Sequence, residues 1–160
     1  MDLEDYKQVN FYEIADLERA KKNKIYSKGD ILIQMSATKG QVFYLEEDKT
    51  VDSKYAVITC KNVDSKYFYY IVKDTITTFL IKYQTGINLQ PEIFNYLSLQ
   101  IHSCLNVQKH IAKIFDKIDE EIKNEEMMIN ELKDFKKYHL NKMFIWKIKE
   151  NKNGKNKISK

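Results

Sequence analysis

Apolar residues follow two rhythms along this chain. Up to residue 60 they come in short β-branched or aromatic runs, "DILIQM" (30–35), "QVFYL" (41–45) and "YAVITC" (55–60), separated by turn-prone residues. Runs of this kind predict strands. "SKGD" and "TKG" read as turns, with Gly29 and Gly40 supplying any positive φ. From Lys66 to Lys82 the spacing lengthens to three and four, placing Phe68, Ile71, Val72, Ile76, Phe79 and Leu80 on one helical face. A polar loop around Gly86 follows, then a short helical turn opened by Pro91, a residue suited to a first helical position. A last strand is predicted near Leu97 to Ile101. The pentapeptide "VDSKY" occurs at Val51 and again at Val63, with different chemistry downstream, and reads as coincidence in a lysine-rich chain rather than a repeat.

The longest pattern lies in "HIAKIFDKIDEEIKNEEMMINELKDFKKYHLNKMF", from His110 to Phe144. Alternating steps of four and three put Ile111, Phe115, Ile118, Ile122, Ile129, Leu132 and Met143 on one seam, flanked by Ile114, Met128, Phe135 and Leu140. Glu125, Lys136 and His139 fall on the same seam, where polar groups lower stability but fix register. Neither proline nor glycine interrupts the run from Asn106 to Trp146, and Asn106 is placed to cap it. At ~1.5 Å per residue the helix would reach roughly 60 Å. A core of about a hundred residues has a radius of gyration of only ~13 Å. The seam therefore calls for burial against something other than its own domain. A solitary charged helix is the competing reading, but such helices normally lack a continuous apolar stripe. The expected organisation is an α+β fold: a small mixed domain over residues 1–105, a long coiled-coil-forming helix over 106–146, and a basic disordered tail over 147–160.

Length fits one domain plus an appendage. With no basic-then-apolar leader and no apolar run of ~18 to 20 residues, the chain reads as cytoplasmic, without a membrane partner. Cys60 and Cys104 are expected to be reduced thiols. The net charge of +4 changes the picture less than its location does. Thirteen basic side chains meet fourteen acidic ones up to Leu105, and eight meet eight from Asn106 to Trp146, so the excess lies in the last fourteen residues. Bulk charge thus gives no argument that the folded part binds nucleic acid, and the tail could add only non-specific phosphate contacts. Locally, "RAKKNKIYSK" (19–28) holds five basic residues and no acidic one, a segment suited either to phosphate or to plain hydration.

Catalysis finds little support. His102, Cys104 and His110 match no compact zinc spacing, and no phosphate-cradling loop or dinucleotide fingerprint occurs. Neither a cofactor nor a metal is called for, and the chain is expected not to be an enzyme.

In order, "YSKGDILIQMSATKGQVFYL", "YFYYIV", "TGINLQPEIFNYLSLQI" and the long helix resemble the specificity subunit of type I restriction-modification systems: one target-recognition domain followed by one spacer helix. The similarity covers roughly Ile25 to Phe144 and is carried by "GDIL" at Gly29, the Gly86 loop leading to "LSLQI", and Gln108, Ile111, Ile118, Asp119, Ile122, Leu132 and Lys136 on the helix. Two features depart from the family: "HSCLNV" stands where prolines usually precede the helix, and the recognition domain is short. Family members usually carry two such domains and two antiparallel helices in one chain. The resemblance therefore implies a homodimer through Ile111, Phe115, Ile118, Ile122, Ile129, Leu132 and Met143, with true two-fold symmetry. Such a dimer would read a bipartite palindrome in double-stranded DNA, with half-sites one to two turns of ~34 Å apart. Methyltransferase subunits, and through them the restriction subunit, would dock on the same frame.

Contacts to DNA divide into positioning and base reading. Lys21, Lys22, Lys24, Lys28 and Lys39 are the candidates for phosphate. In "KYQTGINLQ", Gln84, Asn88 and Gln90 can pair bidentately with adenine, and Lys82 and Thr85 can meet guanine or phosphate. Ordinary turn chemistry explains the same amide side chains equally well. Arg19 is the sole arginine, which tilts the expected target towards A·T pairs. Two other readings stay open: an assembly or regulatory module that binds methyltransferase or specificity subunits without reading DNA, and a generic coiled-coil dimer with an unrelated head.

Overall fold

The computed structural model describes residues 5–35, 41–83, 86 and 90–155, with side chains as far as 144. It is an α+β fold that divides into two compact units, Met1–Phe115 and Asp116–Lys160.

In the first unit, strands β1 (Tyr6–Asn10), β2 (Ala15–Arg19), β3 (Ile25–Tyr26), β4 (Ile31–Gln34), β5 (Val42–Tyr44), β6 (Lys49–Thr50), β7 (Tyr55–Cys60) and β8 (Ser98–His102) form three antiparallel sheets. The central sheet has the order β2-β7-β4-β5, with Ile31 opposite Ile58 and Ala15 opposite Cys60. Two ribbons, β1-β8 and β3-β6, accompany it. Helix α1 (Phe11–Ile14) links β1 to β2. Helix α2 (Ser65–Tyr83) follows β7, and a 3-10 helix (Pro91–Tyr96) precedes β8.

The continuous apolar runs of β4 and β7 have a physical reason. Side chains alternate between the two faces of a strand, and here both faces are covered. Ile31, Ile33, Ala56 and Ile58 join Phe68, Val72, Ile76 and Phe79 of α2 in the main core, where the Phe11 and Phe94 rings are tilted against each other with centroids 4.8 Å apart. Leu32 and Val57 point the other way, into a smaller cluster with Ala20, Tyr26, Leu45 and Val51 beneath the β3-β6 ribbon.

Helix α3 spans Leu105–Lys155. It begins one residue before Asn106, and the Cys104 carbonyl accepts the first helical bond from the Gln108 amide at 3.1 Å, so Asn106 lies inside the helix rather than capping it. Its opening turns belong to the first unit, because Val107 and Ala112 are buried and Ile111 packs on the main core. The helix also continues past Trp146 to Lys155, so residues 147–155, expected as a disordered tail, are helical; 156–160 lie outside the described residues. No helix among the described residues is long and apolar enough to cross a membrane.

Candidate nucleic-acid interface

The turn "SKGD" shows why this sequence folds as it does locally. Gly29 adopts φ 97°, a backbone conformation that a side chain disfavours, and a Cβ there would meet the Ser65 hydroxyl at 3.3 Å. The Asp30 carboxylate, buried, accepts from the Ser27 amide at 3.0 Å and from the Thr59 hydroxyl at 2.9 Å. The Gly29 amide donates to the Leu45 carbonyl, closing the start of the β4-β5 pair. The "GDIL" signature is therefore a turn lock that sets the lysine-bearing segment before it.

A second lock sits at the root of α3. The Gln108 side chain is 1% exposed; its Oε1 accepts from the Asp64 amide at 2.9 Å and its Nε2 donates to the His102 carbonyl at 2.7 Å. One amide thus ties the start of α2, the end of β8 and the first turns of α3 together. Beside it the Tyr67 hydroxyl accepts from the His102 amide and shares a second hydrogen bond, at 2.8 Å, with His102 Nδ1. Burial, above all, pushes the Tyr67 phenol up from its ordinary value. His102 is thereby engaged in structure.

The basic segment after β2 resolves into two kinds of lysine. Lys21 bridges Glu18 at 3.1 Å and Lys24 bridges the same carboxylate, and the bond from Lys24 holds the Glu18 carboxyl below its usual range. Lys22 and Lys28 are exposed and form no salt bridge among the described residues. Lys22 lines a shallow cleft with Asn23, Thr50, Val51, Asp52 and Ser53, where the β2-β3 turn meets the β6-β7 turn. Asn23 holds a positive φ of 64° there. Arg19 braces this junction: its Nε donates to the Ser53 carbonyl at 3.1 Å. Sequence reasoning missed Asn23 and Ser53, since the only signal, an asparagine in a lysine-rich turn, does not say which distant turn it meets.

The second candidate loop is described at its ends and at Gly86. Lys82 lies exposed in the last turn of α2, over the Tyr83 ring, and Gln90 is exposed ahead of the 3-10 helix, with no capping bond from its side chain. Lys39, Gln84, Thr85 and Asn88 lie outside the described residues.

The seam of α3 divides at the unit boundary. Ile111 is half-buried on the head's own core, and the Phe115 ring, 44% exposed, lies 5.1 Å from that of Tyr70. Ile118, Ile122, Ile129, Leu132 and Met143, with Met128 and Phe135 beside them, are exposed. Cys60 and Cys104 are free thiols.

Comparison with known proteins decides the family. The family model of the type I restriction modification DNA specificity domain matches residues 2–134. The chain belongs to that family. Specificity proteins of this kind are recognition modules rather than enzymes. No curated protein matches the chain. Among solved structures, the S subunit of a type I restriction-modification system from M. genitalium aligns with a TM-score of 0.61 at 11% identity, over 76% of this chain and 41% of that one. The HsdS subunit from Thermoanaerobacter tengcongensis gives 0.54 at 12%, over 76% and 39%. A chain from a structure of type I R-M complex assembly and conformational transition gives 0.59 at 13%, over 76% and 40%. These show a common fold. The specificity domain described here spans about two fifths of the length of those chains.

Proposed function

We propose that this chain is the DNA-reading component of a type I restriction-modification system. Two copies, joined through the exposed part of the α3 seam, read a bipartite site in double-stranded DNA and recruit methyltransferase subunits, and through them the restriction subunit. The observation that carries the reading is the family match, which runs through the whole head and on into α3 as far as residue 134. Lys22 and Lys28 would hold phosphate, supported by their exposure and by the salt-bridge geometry that leaves them available. Lys82 and Gln90 flank the connection proposed to reach base edges, together with Gln84, Thr85 and Asn88; Lys39 would join the phosphate contacts.

Selection from a randomised duplex pool, with and without the methyltransferase partner, tests this. Enrichment of a two-part motif is the expected result; a folded complex that enriches nothing would overturn it. That negative outcome would favour the second reading, an assembly module that binds methyltransferase or specificity subunits without reading DNA. One observation supports that alternative: two of the four lysines proposed for phosphate in this segment, Lys21 and Lys24, are already engaged by Glu18.

A further inference from the structure

The exposed stretch of the seam carries enough charge pattern to choose its own partner. Ile118, Ile122, Ile129, Leu132 and Met143 are 43%, 51%, 48%, 60% and 65% exposed, an apolar stripe interrupted by Glu125, Lys136 and His139. None of the salt bridges among the described residues involves Glu121, Glu125, Glu126, Lys133, Lys136 or Lys142. Three acids and three lysines thus line this stripe without a salt-bridge partner among the described residues.

The four-three spacing sorts the stripe into two sets of layer positions: Ile122, Ile129, Lys136 and Met143 in one, Ile118, Glu125, Leu132 and His139 in the other. In an antiparallel helix pair each set faces the opposite set of the neighbour. We infer that, in the antiparallel self-pairing proposed above, the stripe takes a single register whose two-fold axis passes between Asn130 and Glu131. Ile129 then meets the partner's Leu132, Ile122 the partner's His139 and Ile118 the partner's Met143. Glu125 meets the partner's Lys136. On the flanks, Met128 lies beside the partner's Phe135, Glu126 beside the partner's Lys133, and Glu121 beside the partner's Lys142. Symmetry supplies every pair twice.

Neighbouring registers lose this match. A seven-residue slip one way sets Glu125 against the partner's Ile129, Lys136 against the partner's Ile118 and Glu126 against the partner's Glu126. The opposite slip sets Lys136 against the partner's Leu132, Glu125 against the partner's Met143 and Lys133 against the partner's Lys133. Parallel in-register pairing stacks Glu125, Lys136 and His139 each on its own copy. A charge left unpaired or facing its like in a dry layer is strongly unfavourable, so the pattern selects one arrangement and rejects the others. The inference rests on the reading that the seam of this specificity domain is a self-pairing surface.

Sedimentation or light scattering of the full chain tests it. The wild type is expected to be a dimer at micromolar concentration, and E125K or K136E alone should raise the dimer Kd at least tenfold. An equimolar mixture of the two variants should recover wild-type affinity, because each restores the other's pairs, and so should the double swap E125K/K136E. A cross-linking arm reads orientation directly, in a background carrying C104S. I118C mixed with M143C should form a disulfide-linked dimer under mild oxidation while neither forms one alone, since identical thiols at residue 118 would stand roughly 37 Å apart at ~1.5 Å per residue. A wild type that stays monomeric overturns self-pairing, and the duplex selection still decides recognition by itself. A dimer indifferent to both charge variants, or one that cross-links through I118C alone, overturns the register while leaving self-pairing intact.

Discussion

Gln108 is a polar side chain doing the work of a core residue. Its two hydrogen bonds satisfy the Asp64 amide and the His102 carbonyl at the point where α3 leaves the head. Gln108→Ala would strand both groups and should lower stability by about 2 to 4 kcal/mol in chemical denaturation. Gly29→Ala combines a positive φ with the close Ser65 hydroxyl, and a loss of about 1 to 2 kcal/mol is expected in the same assay. For DNA, Lys22→Ala should weaken binding across all sequences and reduce the salt dependence by about one unit, whereas Lys21→Ala, whose ammonium is already held by Glu18, should do less; titrations at several salt concentrations compare them. Burial, reinforced by Asp30 and Asp64, pushes the Cys60 thiol from 9.0 up to about 12. A maleimide at neutral pH should therefore label exposed Cys104 well before Cys60. Because the thiol's folded value is raised, its contribution to stability is complete below about 9 and is lost as pH climbs towards about 12.

Among the elements, α3 anchors in the head as far as about Phe115, and the self-pairing proposed for it lies beyond. Ile111→Asp puts a charge against the main core and should unfold or strongly destabilise the head. Leu132→Asp should leave the head's circular dichroism intact and abolish only self-association, and comparing the two by spectroscopy and light scattering separates the roles. Helices α2 and α3 and strands β4, β5 and β7 were legible because their periodicity is strong and their apolar faces are wide. Others were not. In β2, "ADLER" is built from helix-favouring residues, and it is a strand only because β7 pairs with it from Ala15 opposite Cys60 to Arg19 opposite Ala56. In β1 only Val9 is buried, so no alternation announces it, and β3 and β6 at two residues each are too short to show a period. The candidate site was legible in kind but not in arrangement. A run of lysines is visible in a sequence, whereas the capture of Lys21 and Lys24 by one glutamate depends on the turn that brings them back over β2.

For the molecule as a whole, the pairing proposed for α3 would make stability depend on mass action. The apparent melting temperature should rise with protein concentration, and E125K should flatten that dependence; calorimetry over a tenfold concentration range checks it. The central sheet has a different consequence. Leu32 and Val57 lie on its far face, in the cluster with Val51, and Val51 also lines the cleft that holds Lys22 and Asn23. Changing the volume of either interior side chain would shift the rim that carries Lys22, altering the proposed hold on phosphate without replacing any atom that phosphate would touch. On the proposed phosphate role of Lys22, a drift in affinity across all sequences would thus begin in the interior, and a screen confined to surface positions would overlook it.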